Sequence, residues 1–284
     1  MFQTSTLQLL RFHFSFFLMP VYWFALGQIK HVDIFAAVLI FIILHMLVYP
    51  ASNGYNSYMD RDETSIGGLK NPAQPTRQLF YVTLLMDLAA LALSFFISII
   101  FVLGIFTYIL ASRAYSYRGI RLKKYPVAGY LTVVFFQGAV VFFLVCHGAS
   151  VGRSLDFPVW CAIGASLLIG GFYPLTQIYQ HKADLNDQVK TISYLLGYRG
   201  TFIFCAMVYT GAFAILAGYF NYSNQESRFL VFAVSMLPVI IYFIKWALSV
   251  WKDMTEANFA NTMRMNYLAS ICTNIGFIVV LLTR

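Results

Sequence analysis

Nine apolar stretches, each about 20 residues long, follow one another along this chain and leave little of it for other structure. They run roughly Leu7–Gly27, Val32–Ser52, Leu79–Phe96, Ile99–Ser116, Val127–Cys146, Phe157–Tyr179, Thr201–Phe220, Phe229–Trp251 and Met263–Leu282. A bilayer core holds no water to satisfy backbone N–H and C=O groups, so stretches of this length read as membrane-spanning helices. The expected fold is all-α: a polytopic membrane protein with nine transmembrane helices in one bundle, forming a single membrane-embedded unit over residues 1–284. No polar loop divides the third and fourth stretches. One helix from Leu79 to Ser116 would hold 38 residues and reach about 57 Å, far beyond a hydrocarbon core of about 30 Å, so two spans are expected. Composition agrees, because 11% of the residues are charged against about 25% in an ordinary soluble domain.

The first stretch lacks a basic leader and a small-residue cleavage site, and is expected to be retained as a span. Cys146, Cys161, Cys205 and Cys272 are scattered within or beside spans without metal-ligand spacing, and read as free thiols. The net charge of +8 reads as membrane orientation, with no nucleic-acid partner implied. With nine spans, 15 of the 19 Lys and Arg fall on the side shared by the N-terminus and the loops after spans two, four, six and eight. Only Lys30, Arg153, Arg228 and Arg284 fall on the other. The positive-inside rule makes the N-terminus and those loops cytoplasmic, and the expected location is a bacterial cytoplasmic membrane.

One polar segment recurs. Residues 49–63, YPASNGYNSYMDRDE, align without gaps on residues 173–187, YPLTQIYQHKADLND. Tyr, Pro, Tyr and Asp coincide, and Ser52/Thr176, Asn53/Gln177, Asn56/Gln180 and Glu63/Asp187 are conservative pairs. The offset carries span two onto span six, which suggests a direct repeat of about four helices, roughly 1–116 and 127–251, with the ninth left over. Asn53, Asn56, Asp60 and Glu63 are spaced three, four, three, as are Gln177, Gln180, Asp184 and Asp187. On a helix each set shares one face. Two facing stripes of oxygen ligands without His or Cys suit a hard cation such as Mg²⁺, shared with substrate phosphates. The alternative is that both stripes cap their helices and hydrate at the interface.

The loop AYSYRGIRLKKYPVAG follows span four. Arg121 and Lys123 are expected to neutralise a phosphorylated substrate, whereas Arg113 and Lys124 read as lipid-headgroup cations. Lys70 and Arg77 after span two, and Lys190 and Arg199 after span six, serve either as orientation signals or as diphosphate contacts. Asp87 inside span three needs a partner, for which Arg113 and Lys245 both qualify. His45 reads as a satisfied core histidine, and the aromatic residues as packing, interface belts and possible walls of an isoprenoid pocket.

At these positions the chain resembles the UbiA superfamily of intramembrane prenyltransferases. The likeness covers most of the chain, with acidic motifs after spans two and six and a basic loop between spans four and five. The family's first motif, Asn with Asp at plus four and plus eight, is matched by Asn56 and Asp60 with the adjoining Arg61, while Thr64 stands at plus eight. Its second motif, two Asp four apart ahead of a Thr and a Gly, is matched by Asp184, Thr191 and Gly197, with Gln180 in place of the leading Asp. Tyr115, Ser116, Arg121, Leu122 and Lys123 match the family's Tyr-Ser…Arg-Leu-Lys signature.

Given these departures, a relocated ligand set is expected. Asp60, Glu63, Asp184 and Asp187 would carry the charge, Asn56 and Gln180 would add carbonyl oxygens, and Asn53, Asp62, Tyr115 and Gln177 would support them. The resemblance implies Mg²⁺-dependent transfer of a prenyl group from a polyprenyl diphosphate to a small lipophilic acceptor, usually aromatic, with Asp60 and Asp184 central to catalysis. Terpene cyclisation and phosphoribosyl transfer are related readings on the same scaffold. A non-catalytic isoprenoid-diphosphate binder or transporter is the rival from another class. Both stripes fall at the same end of their spans, which favours a one-sided enzyme site over alternating access.

Overall fold

A computed structural model describes residues 3–283; Arg284, counted above among the minority cations, lies outside them. Among the described residues the chain is helical without a strand, and eight helices are long and apolar enough to cross a membrane. They are Thr4–Gly27, Ile34–Asp60, Arg77–Ser94, Ile99–Ser116, Pro126–Ala149, Val159–Asn186, Ile192–Tyr222 and Phe259–Leu282. The remaining stretch is a bent pair, Glu226–Ser235 and Leu237–Lys252, turned by 42° at Met236 just ahead of Pro238. Spans are numbered one to nine in chain order, the bent pair being span eight.

The third and fourth stretches are separate helices. Span three stops at Ser94, and the Ser98 side chain accepts from the Phe101 amide at 3.0 Å to start span four. Several helices outrun their apolar windows at the end that carries the basic loops. Span two continues through Asn53 and Asn56 to Asp60, and span six reaches Asn186. Asn53, Asn56, Asp60, Gln177, Gln180 and Asp184 are therefore helical in themselves, which hydropathy alone misses, whereas Glu63 and Asp187 lie past the helix ends.

Lipid tails are as apolar as leucine, so helix association here rests on packing and on internal polar contacts. Gly138 lets span five meet span six at backbone distance: a Cβ there would lie 2.4 Å from Ser166 Cα. Phe277 of span nine stacks between Phe24 of span one, 4.4 Å between ring centroids, and Phe232 of span eight, 4.7 Å. At the end opposite the basic loops, Asp33 pairs with Arg153 at 2.9 Å and Val151 N donates to His31 O at 3.1 Å, joining the two inter-span loops.

The structure selects the partner of Asp87. Arg113 Nε donates to its Oδ2 at 2.9 Å, reaches Thr83 Oγ1 and O at 3.3 Å, and lies 3.9 Å over the Tyr55 ring. Arg113 is therefore an intramembrane counter-ion near the end of span four, a correction to its reading as a lipid-headgroup cation. Removing one partner of a buried ion pair leaves the other charge uncompensated, typically at about 3–5 kcal/mol. Arg113→Leu is expected to lower the thermal stability of the purified protein sharply. The double variant Arg113→Leu/Asp87→Leu should recover most of that loss, read as Tm in the same detergent.

Candidate functional site: a carboxylate-lined membrane cavity

Both polar segments end at one mouth of a single cavity of about 270 Å³. Asn53, Asn56 and Asp60 reach it from span two, and Gln177, Gln180, Asp184 and Asp187 from the end of span six. The two segments arrive differently. Span two is α-helical over Tyr49–Asp60 and is stopped by Arg61, whose φ of 55° places it in the left-handed region. Span six carries Pro174, tightens into a 3₁₀ turn over Ile178–Gln180, and resumes as His181–Asn186.

The stop at Arg61 changes the expected ligand set. Glu63 lies beyond the helix, is exposed, and does not line the cavity, so it does not share a helix face with Asp60. Asp62, assigned only a supporting place from the sequence, lines the cavity instead. Burial, followed by the neighbouring Asp60 carboxylate, pushes the Asp62 carboxyl up to about 6.

Three cations of the basic loop face these carboxylates. Lys123 Nζ bonds Asp60 Oδ2, and Arg121 bonds Asp187 while standing 3.7 Å from Asp60 Oδ1. Arg118 donates to Met59 O at 2.8 Å, to Asp60 O at 3.3 Å and to Asp187 Oδ1 at 3.3 Å. The carboxylates of Asp62 and Asp184 have no ion-pair partner within 4 Å among the described residues. Lys70, Lys190 and Arg199 are exposed and outside the lining; Arg199 donates to Trp251 O at 2.8 Å. A buried cation the sequence did not single out, Arg11 of span one, does line the cavity.

Deeper in, Ser116 donates to Asn56 Oδ1 at 2.9 Å, and the hydroxyls of Tyr115 and Tyr173 bond each other. Beyond them the walls turn apolar, with Tyr108, Phe136, Ile169 and Phe172. A π-helical stretch in span five, Phe135–Val140, carries Phe136 and Gln137 into this wall. His45 sits in a π-helical stretch of span two, Ile42–Val48, packed by Tyr22, Phe41 and Tyr49; its Nδ1 bonds Ser15 Oγ at 2.7 Å while its Nε2 is buried without a partner, so this core histidine is satisfied at one nitrogen only.

The donor set suits a hard cation. Every candidate ligand is an oxygen, and Asp60 Oδ1 and Gln177 Oε1 are buried without a hydrogen bond. No three His, Cys, Asp or Glu among the described residues converge tightly enough to hold an ion alone. That suits Mg²⁺, which usually takes one or two carboxylates and completes its shell with water and phosphate oxygens.

The family model described as the UbiA prenyltransferase family matches residues 14–268. No curated protein matches the chain. Among solved structures, a UbiA homologue from Archaeoglobus fulgidus bound to GPP and Mg²⁺ is 18% identical, with TM-score 0.73 over 98% of this chain and 99% of that one. An apo UbiA homologue from Aeropyrum pernix K1 is 17% identical, with TM-score 0.70 over 95% and 98%. A digeranylgeranylglyceryl phosphate synthase is 16% identical, with TM-score 0.64 over 99% and 98%. At these identities the likenesses establish the fold.

Gln180 Nε2 donates to Ser65 O at 3.3 Å and so ties the loop after span two to the second motif. One such bond contributes about 1 kcal/mol. Gln180→Ala is expected to speed amide exchange at Ile66 and Leu69 by about fivefold, with the span interiors unchanged, as read by hydrogen-exchange mass spectrometry.

Proposed function

This chain belongs to the UbiA prenyltransferase family, and on that premise we propose that it transfers a prenyl group from a polyprenyl diphosphate to a small lipophilic acceptor inside the membrane. One observation carries the reading: carboxylates from two separate spans and Lys123 meet at the polar mouth of a cavity whose depth is apolar, with Arg121 outside the lining but paired to Asp187 and 3.7 Å from Asp60 Oδ1. A prenyl diphosphate has the same division, a multiply charged head on a hydrocarbon tail.

In this reading Asp62 and Asp184, with Asp60, Asp187, Asn56 and Gln180 around them, would hold Mg²⁺ against the diphosphate oxygens. When bound, the ion supplies Lewis-acid stabilisation of the departing diphosphate. Lys123 and Arg121 add fixed positive charge where the leaving group gathers negative charge. The bond between the first prenyl carbon and oxygen breaks with its electron pair going to diphosphate. The allylic cation is left among aromatic faces such as Tyr108, Phe136 and Phe172, which attract it through their π systems and exclude water. An electron-rich atom of the acceptor forms the new bond and the acceptor loses a proton. The distribution of Lys and Arg supports a cytoplasmic mouth.

Asp184 is the cleanest test, because its removal strands no ion-pair partner. Asp184→Ala and Asp60→Ala are each expected to lower Mg²⁺-dependent release of inorganic diphosphate from geranyl diphosphate by about 100-fold or more. Glu63→Gln, at an exposed position off the cavity, should stay within about twofold of the parent. Full activity with Mg²⁺ dependence intact in Asp184→Ala would sink the assignment.

A further inference from the structure

The short helix that carries Asp184 has one buried anchor, and it is polar. Of its residues, His181–Asn186, His181 alone is buried, while Leu185, its one large apolar side chain, is exposed. A helix this short makes too few internal hydrogen bonds to hold itself, and apolar burial does not hold this one. Its two flanks are tied, Gln180 to Ser65 O and Asp187 to Arg118 and Arg121. Asp184 lies between those ties with no ion-pair partner among the described residues, so its carboxylate stands wherever the helix is seated. His181, three residues earlier and beside it on the helix surface, does the seating.

His181 Nε2 is 2.8 Å from Ser193 Oγ, which is 3.0 Å from Thr201 Oγ1, and Ser193 and Thr201 are fully buried. Thr201 Oγ1 also reaches Gly197 O at 2.7 Å and Ser193 O at 3.1 Å. Carbonyl oxygens only accept, so the single Thr201 proton goes to one of them and Ser193 donates to Thr201. Ser193 Oγ is then left to accept from His181, which assigns the proton of the neutral imidazole to Nε2. Three hydrogen bonds thus run one way, from His181 to the backbone of span seven.

Residues eight apart on a regular helix are separated by about 12 Å, so Ser193 and Thr201 meet only because span seven breaks between them. The break is Gly197, at φ 67° and ψ 177°, a conformation essentially confined to glycine. The Tyr198 ring just past it stacks on His181, with centroids 4.8 Å apart and planes 10° apart. Thr191 caps the segment before the break, accepting from the Tyr194 amide at 3.2 Å, and lines the cavity together with Asp184.

We propose that His181 is the positioning residue for Asp184: through Ser193 and Thr201 it seats the acidic helix on the broken start of span seven, and so sets the affinity of the mouth for Mg²⁺. The proposal rests on the reading of that mouth as a Mg²⁺–diphosphate site, and its test is binding and not turnover. The full chain in lipid nanodiscs would be titrated with Mg²⁺ while binding of radiolabelled geranyl diphosphate is followed.

His181→Leu should raise the Mg²⁺ concentration for half-maximal binding about tenfold, with binding at saturating Mg²⁺ within about twofold of the parent. His181→Gln, whose amide can donate to Ser193 Oγ, should restore the midpoint to within about twofold. Ser193→Ala should raise it as His181→Leu does, and gives the same reading should the leucine variant not fold. In an Asp184→Asn background His181→Leu should shift the midpoint no further, because it acts through Asp184. Without Mg²⁺ or substrate, His181→Leu should speed exchange of the Val189 amide, which donates to Asp184 O at 2.8 Å. The proposal is overturned if His181→Leu or Ser193→Ala keeps the parent midpoint, or if His181→Gln fails to restore it. Additive shifts from His181→Leu and Asp184→Asn would also overturn it, marking a structural histidine. An unmoved midpoint in Asp184→Asn refutes the cation site together with the proposal, whereas a raised one beside an unmoved His181→Leu overturns the proposal alone.

Discussion

Carboxylates crowded at one mouth of a membrane cavity repel one another, and the basic loop after span four is what holds them in place. Arg121 bridges Asp187 of one segment and Asp60 of the other, and Lys123 closes on Asp60 from a second side. Unit charges about 4 Å apart interact by about 4 kcal/mol near a protein surface, several times the value of an ordinary hydrogen bond. Without those two cations the ends of spans two and six would be driven apart. The left-handed backbone at Arg121, φ 52°, turns the loop back over the mouth.

The rest of the bundle serves that meeting of two segments. Gly138 allows spans five and six to touch at their backbones, which sets how closely span six packs. The Arg113–Asp87 pair joins spans three and four below the same loop. Pro174 and the 3₁₀ turn at Ile178–Gln180 reorient the end of span six, bringing Gln177, Gln180, Asp184 and Asp187 together on the lining although they do not lie on one regular helix.

Much of this was legible in the sequence, for a physical reason. Hydropathy reports the requirement of lipid, so span number and the break between spans three and four follow from it. Where each helix stops follows instead from local backbone conformation. The end of span two is set by a left-handed arginine, not a glycine, and no pattern in residues 49–63 announces it. Regular helix spacing therefore points to Glu63, whereas the cavity is lined by Asp62. Arg11 escaped notice because a lone polar residue within an apolar run carries no periodic signal. Arg113 and Lys245 both qualify by sequence as the partner of Asp87, and packing, not sequence separation, selects Arg113. Lys70, Lys190 and Arg199 share the cationic side but not the cavity, since charge counting assigns a side of the membrane and nothing finer.

The central claim is that these two segments make one Mg²⁺-dependent diphosphate site that releases its leaving group only as a prenyl chain is transferred. The most direct measurement supplies the purified chain in nanodiscs with radiolabelled geranyl diphosphate and a panel of acceptors, with Mg²⁺ or with a chelator. The account predicts inorganic diphosphate and prenylated acceptor in equal amounts, abolished by chelation and restored by added Mg²⁺. Tight binding of geranyl diphosphate with no diphosphate release across the panel, or release undiminished by the chelator, would contradict it.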